Sequence, residues 1–415
     1  MTTTYESQAT GCYRTGTIGP YGDTLNTFLL NAILERTTDV HLHSTDKGIR
    51  VLYRVDGIVH PKVVLPWEKG RKLLNQIKAA AGLDAVRTFC PLEGQIHWHH
   101  GDSKLEIRVT LTPIQEHESI HLRMLRLPAD GWNMEKLGFT KKDQQVVSNT
   151  IHTQSGLVLI CGGTGSGKTT TMYSLASLLD LTTTTTYSIE DPVEYTLSHA
   201  QQIEVDERHG LTMHEGLRTI LRMDPDLIMV GEIRDKDSAI VAARAALSGK
   251  LVFATIHAHD AAGAVDSLHY LGVPMQIIGS ALRLVIAQNL VRKVCDCCGE
   301  FVEPSDQTCE VFTRFGVPLP ETLKQAGACT ECNGYGYYER TGLFEVLPID
   351  GKLKTMISDG LHHQNLSQHL RSQGVTSIIQ DGLNKVAQGI TTMDEVHRAC
   401  KFNPSSILVE NSSQD

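Results

Sequence analysis

The residues with the most specific chemistry are Gly162-Gly163-Thr164-Gly165-Ser166-Gly167-Lys168-Thr169, which fit G-x-x-x-x-G-K-[ST] and follow the apolar run Leu157-Val158-Leu159-Ile160-Cys161. In such a loop the glycines let the backbone curl until successive N–H groups point at phosphate oxygens. Lys168 adds a point charge for the β and γ oxygens, and Thr169, with Thr170 beside it in the same cradle, offers a hydroxyl to Mg²⁺. A plain Gly-rich turn is the alternative. The apolar strand before the loop and the helix-like stretch Thr169 to Leu179 after it favour a nucleotide triphosphate.

A phosphate loop that supports hydrolysis needs an acid for Mg²⁺ and a base for water, and both are expected at the ends of neighbouring strands. Ser188-Ile189-Glu190-Asp191-Pro192-Val193-Glu194 ends one strand in three carboxylates. Leu227-Ile228-Met229-Val230-Gly231-Glu232 ends another in a single glutamate after a glycine. For Asp191 a helix cap or a surface ion pair is the competing reading. A different chemistry is carried by Cys295-Asp296-Cys297-Cys298 and Cys329-Thr330-Glu331-Cys332. This repeated C-x-x-C suits tetrahedral thiolate binding of Zn²⁺ by Cys295, Cys298, Cys329 and Cys332, with Cys297 as an alternative ligand. A redox pair is disfavoured because no thioredoxin-like segment surrounds either cysteine pair.

The elements that must position these residues follow from composition and period. With 415 residues, 41% hydrophobic and 20% charged, the chain can bury a sizeable core in two or three domains. A net charge of -9 argues against a broadly basic nucleic-acid surface. Neither a signal-peptide core in Met1 to Thr10 nor a run of about 18 apolar residues is present, so a cytoplasmic location is expected. Residues 1–21 read as a loose tail and 22–128 as a small α+β domain. In the latter Leu25, Phe28, Leu29, Ala32 and Ile33 fall on one face of a helix capped by Asp23 or Thr24, strands cover Ile49 to Val55, Leu105 to Leu111 and Ile120 to Leu125, and a helix lies near Glu68 to Ala81. A linker is expected at 129–140, opening on Pro128-Ala129-Asp130-Gly131.

From 141 to 292 short β-rich runs alternate with helical ones, the pattern of an α/β parallel sheet covered by helices. Those runs are Leu157 to Cys161, Thr182 to Ile189, Leu227 to Val230 and Leu251 to Thr255, with core helices ending near Arg292. The cysteine insert takes 293–343, a helical part 344–402, and a polar tail 403–415. Alternation in Leu105 to Leu111 and Ile120 to Met124 leaves Arg108 and Arg123 opposite the apolar faces of their strands.

At this point the chain, from about residue 24 to 400, resembles the secretion ATPases of type II secretion and type IV pilus assembly. Glu190-Asp191-Pro192-Val193-Glu194-Tyr195 looks like the family's Asp box. Leu221-Arg222-Met223-Asp224-Pro225-Asp226 leading into Val230-Gly231-Glu232-Ile233-Arg234-Asp235 is similar to its Walker B region, and Ala254-Thr255-Ile256-His257-Ala258 to its His box. The resemblance implies a PAS-like N-terminal domain, a RecA-like core, and ATP with Mg²⁺ as cofactors. It implies that Glu232 polarises the attacking water, that Glu190 and Glu194 assist Mg²⁺ or water, and that His257 senses the γ-phosphate. It also implies that Arg108 and Arg123 are arginine fingers, with Arg218 and Arg222 a second pair in the core. The tetracysteine insert and Gly342-Leu343-Phe344-Glu345 are similar to those of assembly and secretion motors rather than retraction motors.

The chain departs from the family's usual pattern at Pro91-Leu92-Glu93-Gly94-Gln95 and at Gln115-Glu116-His117-Glu118, and fits its Ser-Asp-x-His element only loosely as Thr38-Asp39-Val40-His41. The first twenty residues leave no room for the family's extreme N-terminal docking domain. The implied assembly is a homo-hexamer at the inner face of the cytoplasmic membrane, working with a polytopic inner-membrane platform protein and no specific nucleic acid. Two rival readings are a DNA-translocating ATPase and a nucleotide-dependent regulator that barely turns over.

Overall fold

The computed structural model describes residues 23–84, 89–100, 103–115, 117–125, 133–152, 155–360 and 363–401. The expected tails at 1–21 and 403–415 and the Pro128–Gly131 sequence lie outside the described residues. The chain divides after residue 129 into two compact units.

The first unit is a six-stranded antiparallel sheet, in the order β3-β2-β1-β6-β5-β4, with two helices. Its strands are β1 (Thr37–Thr45), β2 (Gly48–Val55), β3 (Ile58–Leu65), β4 (Leu92–His100), β5 (Ser103–Ile114) and β6 (His117–Leu125). One face buries Val40, Leu42, Val51, Tyr53, Ile107, Val109, Ile120 and Leu122 against the helices Asp23–Leu34 and Trp67–Ala80. Strands β1, β3 and β4 have no counterpart in the sequence reading. β3 is an edge strand with no buried residue, and histidines interrupt the apolar alternation of β1 and β4.

The second unit holds a seven-stranded sheet ordered β15-β12-β7-β11-β10-β8-β9. The labels are β7 (Gly156–Cys161), β8 (Thr186–Glu190), β9 (Ala200–Glu204), β10 (Leu227–Val230), β11 (Leu251–Ile256) and β12 (Leu282–Val294), then β13 (Glu300–Val302), β14 (Leu323–Gln325) and β15 (Tyr337–Pro348). All pairings in this sheet are parallel except β12 with β15. Every residue of β7, β10 and β11 is buried, as strands covered on both faces require.

Four expectations need correction here. The threonine run is not a strand before Thr186, because Asp180 captures it in a turn, accepting from the backbone N–H and hydroxyl of Thr182 at 3.1 and 2.6 Å and from the Thr183 hydroxyl at 3.1 Å. The segment ending near Arg292 is the long strand β12, not a helix. Residues 344–348, expected to open the helical part, finish strand β15, and the helices begin at Gly351–Ser358. The expected linker contains the short helix Met134–Leu137 and buries Phe139, whose ring stacks on Phe344 at 3.7 Å.

Candidate functional site

The phosphate loop leaves β7 at Cys161 and enters the helix Lys168–Ala176. A Cβ on Gly162 would stand 2.5 Å from the Gln288 carbonyl of β12, so only glycine lets the loop pass this close to the neighbouring strand. Gly167 begins the helix with φ +86° and brings no side-chain cap, which leaves the first helical N–H groups directed at an incoming anion. Gln288 also donates to the Ser166 carbonyl at 2.7 Å and so ties the loop to β12.

The Lys168 ammonium is folded onto its own loop, 3.0 Å from the Gly162 carbonyl and 3.1 Å from that of Gly163. Burial lowers its pKa, and the nearby carboxylates of Glu232 and Glu194 oppose that shift. Thr169 and Thr170 follow it, half-buried in the first helical turn.

Glu232 stands just past β10 and is held on both oxygens. His257 Nε2 lies 2.7 Å from Oε1, and Arg234 Nε meets Oε2. The same histidine, just past β11, places Nδ1 3.2 Å from the Gly162 carbonyl, so His257 bridges Glu232 to the phosphate loop. The strand ends are themselves stitched. Thr255 Oγ1 donates to the Gly231 carbonyl at 2.5 Å, and the Ile233 N–H to the Thr255 carbonyl at 2.8 Å.

Glu190 differs from this open arrangement. It is 2% exposed and accepts from the Tyr173 hydroxyl, from Ser188 Oγ at 2.6 Å and from Gln202 Nε2 at 3.1 Å. Burial, then the Glu190 charge, pushes the Tyr173 phenol well up, which keeps it a donor. Glu194 is half-buried, with its charge felt at both Lys168 and Tyr173.

The arginines fall in two places. Arg218 ends the helix Met213–Ile220, half-exposed and 3.8 Å from Glu215, with Arg222 in the turn that follows. In the first unit Arg108 and Arg123 are direct cross-strand partners, and Asp39 is the partner of Arg123 on the next strand. Asp39 Oδ1 accepts from Arg123 Nε and contacts His121 Nε2, each at 3.1 Å. Although burial opposes it, these contacts hold Asp39 well below the ordinary carboxylate range.

A second centre sits where β12 ends and β15 begins. Cys295 follows Val294 directly, and Val294 pairs with Tyr337 across the two strands, so residues 295–336 form an excursion between sheet neighbours, with β13 and β14 as its own small ribbon. The sulfur atoms of Cys295, Cys298, Cys329 and Cys332 lie within 4.8 Å of one another. Three of the separations are 3.8, 3.7 and 3.6 Å. Tetrahedral thiolates at about 2.3 Å from an ion stand about 3.8 Å apart, so the cluster fits one four-coordinate ion. Cys297 is exposed and outside the cluster, which removes it as an alternative ligand.

The sequence reading missed four residues of the site. Arg234 lay within the quoted Walker B segment without being singled out, while Tyr173, Gln202 and Gln288 carry no local signal.

A phosphate loop on a parallel sheet, with strand-end carboxylates and a histidine turned to it, defines a P-loop nucleotide-binding protein. The chain belongs to the family described as type II/IV secretion system protein, whose pattern matches residues 17–398. It is 36% identical over 379 residues to the type II secretion system protein E of Pseudomonas aeruginosa, covering 91% of this chain and 75% of that one. It is 34% identical over 377 residues to the type IV pilus assembly ATPase PilB of Myxococcus xanthus, covering 90% and 66%. The fold is shared with the Legionella pneumophila ATPase DotB, at TM-score 0.67 and 20% identity over 95% of this chain and 98% of that one. Among the described residues no helix is long and apolar enough to cross a membrane.

Proposed function

We propose that this chain is an ATP-hydrolysing motor that assembles into a ring and drives assembly of a type IV pilus or secretion pseudopilus. The observation that carries the hydrolytic part is the Glu232–His257–Gly162 bridge, which ties a strand-end carboxylate to the phosphate loop. With nucleotide bound, Lys168 would leave the loop carbonyls for phosphate oxygens that the loop N–H groups hold, and Thr169 and Glu194 would hold Mg²⁺, which would supply positive charge to the phosphates. Glu232 orients the attacking water, and His257 reports whether the loop is filled. Glu190, buried and already accepting from three donors, acts from behind by fixing Tyr173 and Gln202. Arg108 and Arg123 complete a neighbouring subunit's site, with Arg218 and Arg222 as a second pair. The net charge of -9 gives the DNA-translocating alternative no support.

The ring is tested by measuring ATP turnover against protein concentration. A specific rate that climbs at least about tenfold as hexamers form is expected if arginines act across the boundary. A rate proportional to monomer at all concentrations removes the ring from the mechanism. Work at the inner face of the cytoplasmic membrane, against a polytopic platform protein, completes the proposal.

The tetracysteine cluster is proposed to hold zinc in a structural role, because four thiolates leave no open position for a substrate water. Elemental analysis is expected to find one zinc per chain. Chelation is expected to lower the melting temperature by at least about 5 °C, since binding energy at such sites is folding energy. Purified active protein without zinc, or unchanged melting after the metal is stripped, defeats this assignment.

A further inference from the structure

We propose that Arg234 is a positioning residue for hydrolysis: its guanidinium bridges Asp191 and Glu232, locking together the two strand ends that carry the carboxylates of the site. The inference rests on the ATPase reading above and deepens it.

The geometry is specific. β8 and β10 are neighbours in the sheet, with Ile189 paired to Val230. One ends in Glu190-Asp191-Pro192-Val193-Glu194, the other in Gly231-Glu232. The Gly231 N–H still reaches the Ile189 carbonyl at 2.8 Å, but beyond that pair the parallel ladder stops and control of the spacing passes from backbone to side chains. Arg234 supplies that control: Nε meets Glu232 Oε2, and Nη1 lies 3.0 Å from Asp191 Oδ2. The loop it grips is tied on its far side as well, since the Val193 N–H donates to Glu204 at 2.9 Å. Glu194 is therefore carried by a loop anchored at Asp191 and Val193, three residues and one residue before it.

Consider what the grip does to Glu232. A glutamate with both oxygens in bulk water samples several rotamers, and a base that orients water loses rate in proportion to the time it spends elsewhere. Here His257 holds Oε1 on the phosphate-loop side and Arg234 holds Oε2 on the other. The carboxylate is then fixed at both oxygens, Oε1 against His257 and Oε2 against Arg234. Arg is suited to this because its fork is planar and rigid, so that two nitrogens of one group address two carboxylates in fixed relation. A lysine offers a single point of charge and can satisfy only one of them well. The side chain is 61% exposed, so the pair contributes little to folding, and its presence calls for a reason other than stability.

The test is a mutant cycle on the assembled wild-type background with kcat, KM, affinity for a non-hydrolysable ATP analogue, and melting temperature read for each chain. Arg234→Gln is expected to lower kcat about tenfold while analogue affinity changes less than about threefold. Asp191→Asn is expected to lower kcat in the same direction, and the double variant to be no slower than Arg234→Gln alone, because the two substitutions break one bridge. Arg234→Lys is expected to remain within about threefold of Arg234→Gln, since charge is kept but the fork is lost. The proposal is overturned by near-normal kcat in Arg234→Gln, by independent effects that multiply in the double variant, or by full activity in Arg234→Lys. If Arg234→Gln melts early, Asp191→Asn and Arg234→Lys, both substitutions of exposed side chains, carry the decision. Glu232→Gln is run alongside. Turnover retained in that variant overturns the role of Glu232 itself, whereas a dead Glu232→Gln beside fully active Arg234 and Asp191 variants overturns only the bridge.

Discussion

Glu232→Gln is expected to lower ATP turnover at least about a hundredfold while leaving ATP binding largely intact, the loss typical of a missing general base or water-orienting group. Glutamine keeps the length and one oxygen facing His257, but its amide nitrogen then meets the Arg234 guanidinium, so the link to Arg234 is released together with the charge. What it loses is the charge that draws a proton from water. Lys168→Ala is expected to behave in the opposite sense and to weaken binding itself. Its ammonium already rests 3.0 and 3.1 Å from two loop carbonyls and has only to swing from them to the phosphate. Steady-state kinetics with a separate binding isotherm separates the two effects. Near-normal turnover in Glu232→Gln would move the catalytic role to Glu194, because Glu190 is closed off by its three donors.

The second large effect concerns Arg123. If it reaches a neighbour's γ-phosphate, Arg123→Ala is expected to lower turnover about a thousandfold or more with binding kept, as for arginines supplied in trans. Asp39 already holds the guanidinium through Nε, and the side chain is about half exposed. Mixing is the sharper measurement. An Arg123→Ala chain has an intact phosphate loop, and a Lys168→Ala chain has intact arginines. In randomly mixed rings about one boundary in four pairs a sound loop with a sound arginine, so recovery of up to about a quarter of the wild-type rate is expected if boundaries act independently. Mixed rings that stay silent would mean that Arg123 acts within its own subunit or only braces its sheet.

How much of this was readable in advance depends on how local each signal is. The strand, loop and helix of the phosphate site follow from contiguous residues, because an apolar run, a set of glycines and a helical stretch each act on their own backbone. The cysteine pairs are readable for the same reason, each C-x-x-C being half of a tetrahedral site. Local pattern misled where a single residue overruled it: five threonines look like strand, yet Asp180 takes the hydroxyls of Thr182, Thr183 and Thr184 into a turn. It also misled at β12 and β15, whose strand identity comes from pairing with each other, and for β12 with β7, across long sequence separations.

The same distinction runs through the site. Glycine placement, the Lys168 charge and the four thiols required only the sequence, since their chemistry is carried by residue type and near spacing. Which carboxylate is open and which is buried was decided by tertiary contacts. Glu190 and Glu232 end adjacent strands and look equivalent in sequence, but Tyr173, Ser188 and Gln202 close around one, while His257 and Arg234 hold the other toward the loop. Ser188 and Arg234 lie two residues from the carboxylates they bind, but Tyr173 comes from a helix, Gln202 from another strand and His257 from the loop after a third, and only the packing of the parallel sheet brings those atoms within hydrogen-bond reach.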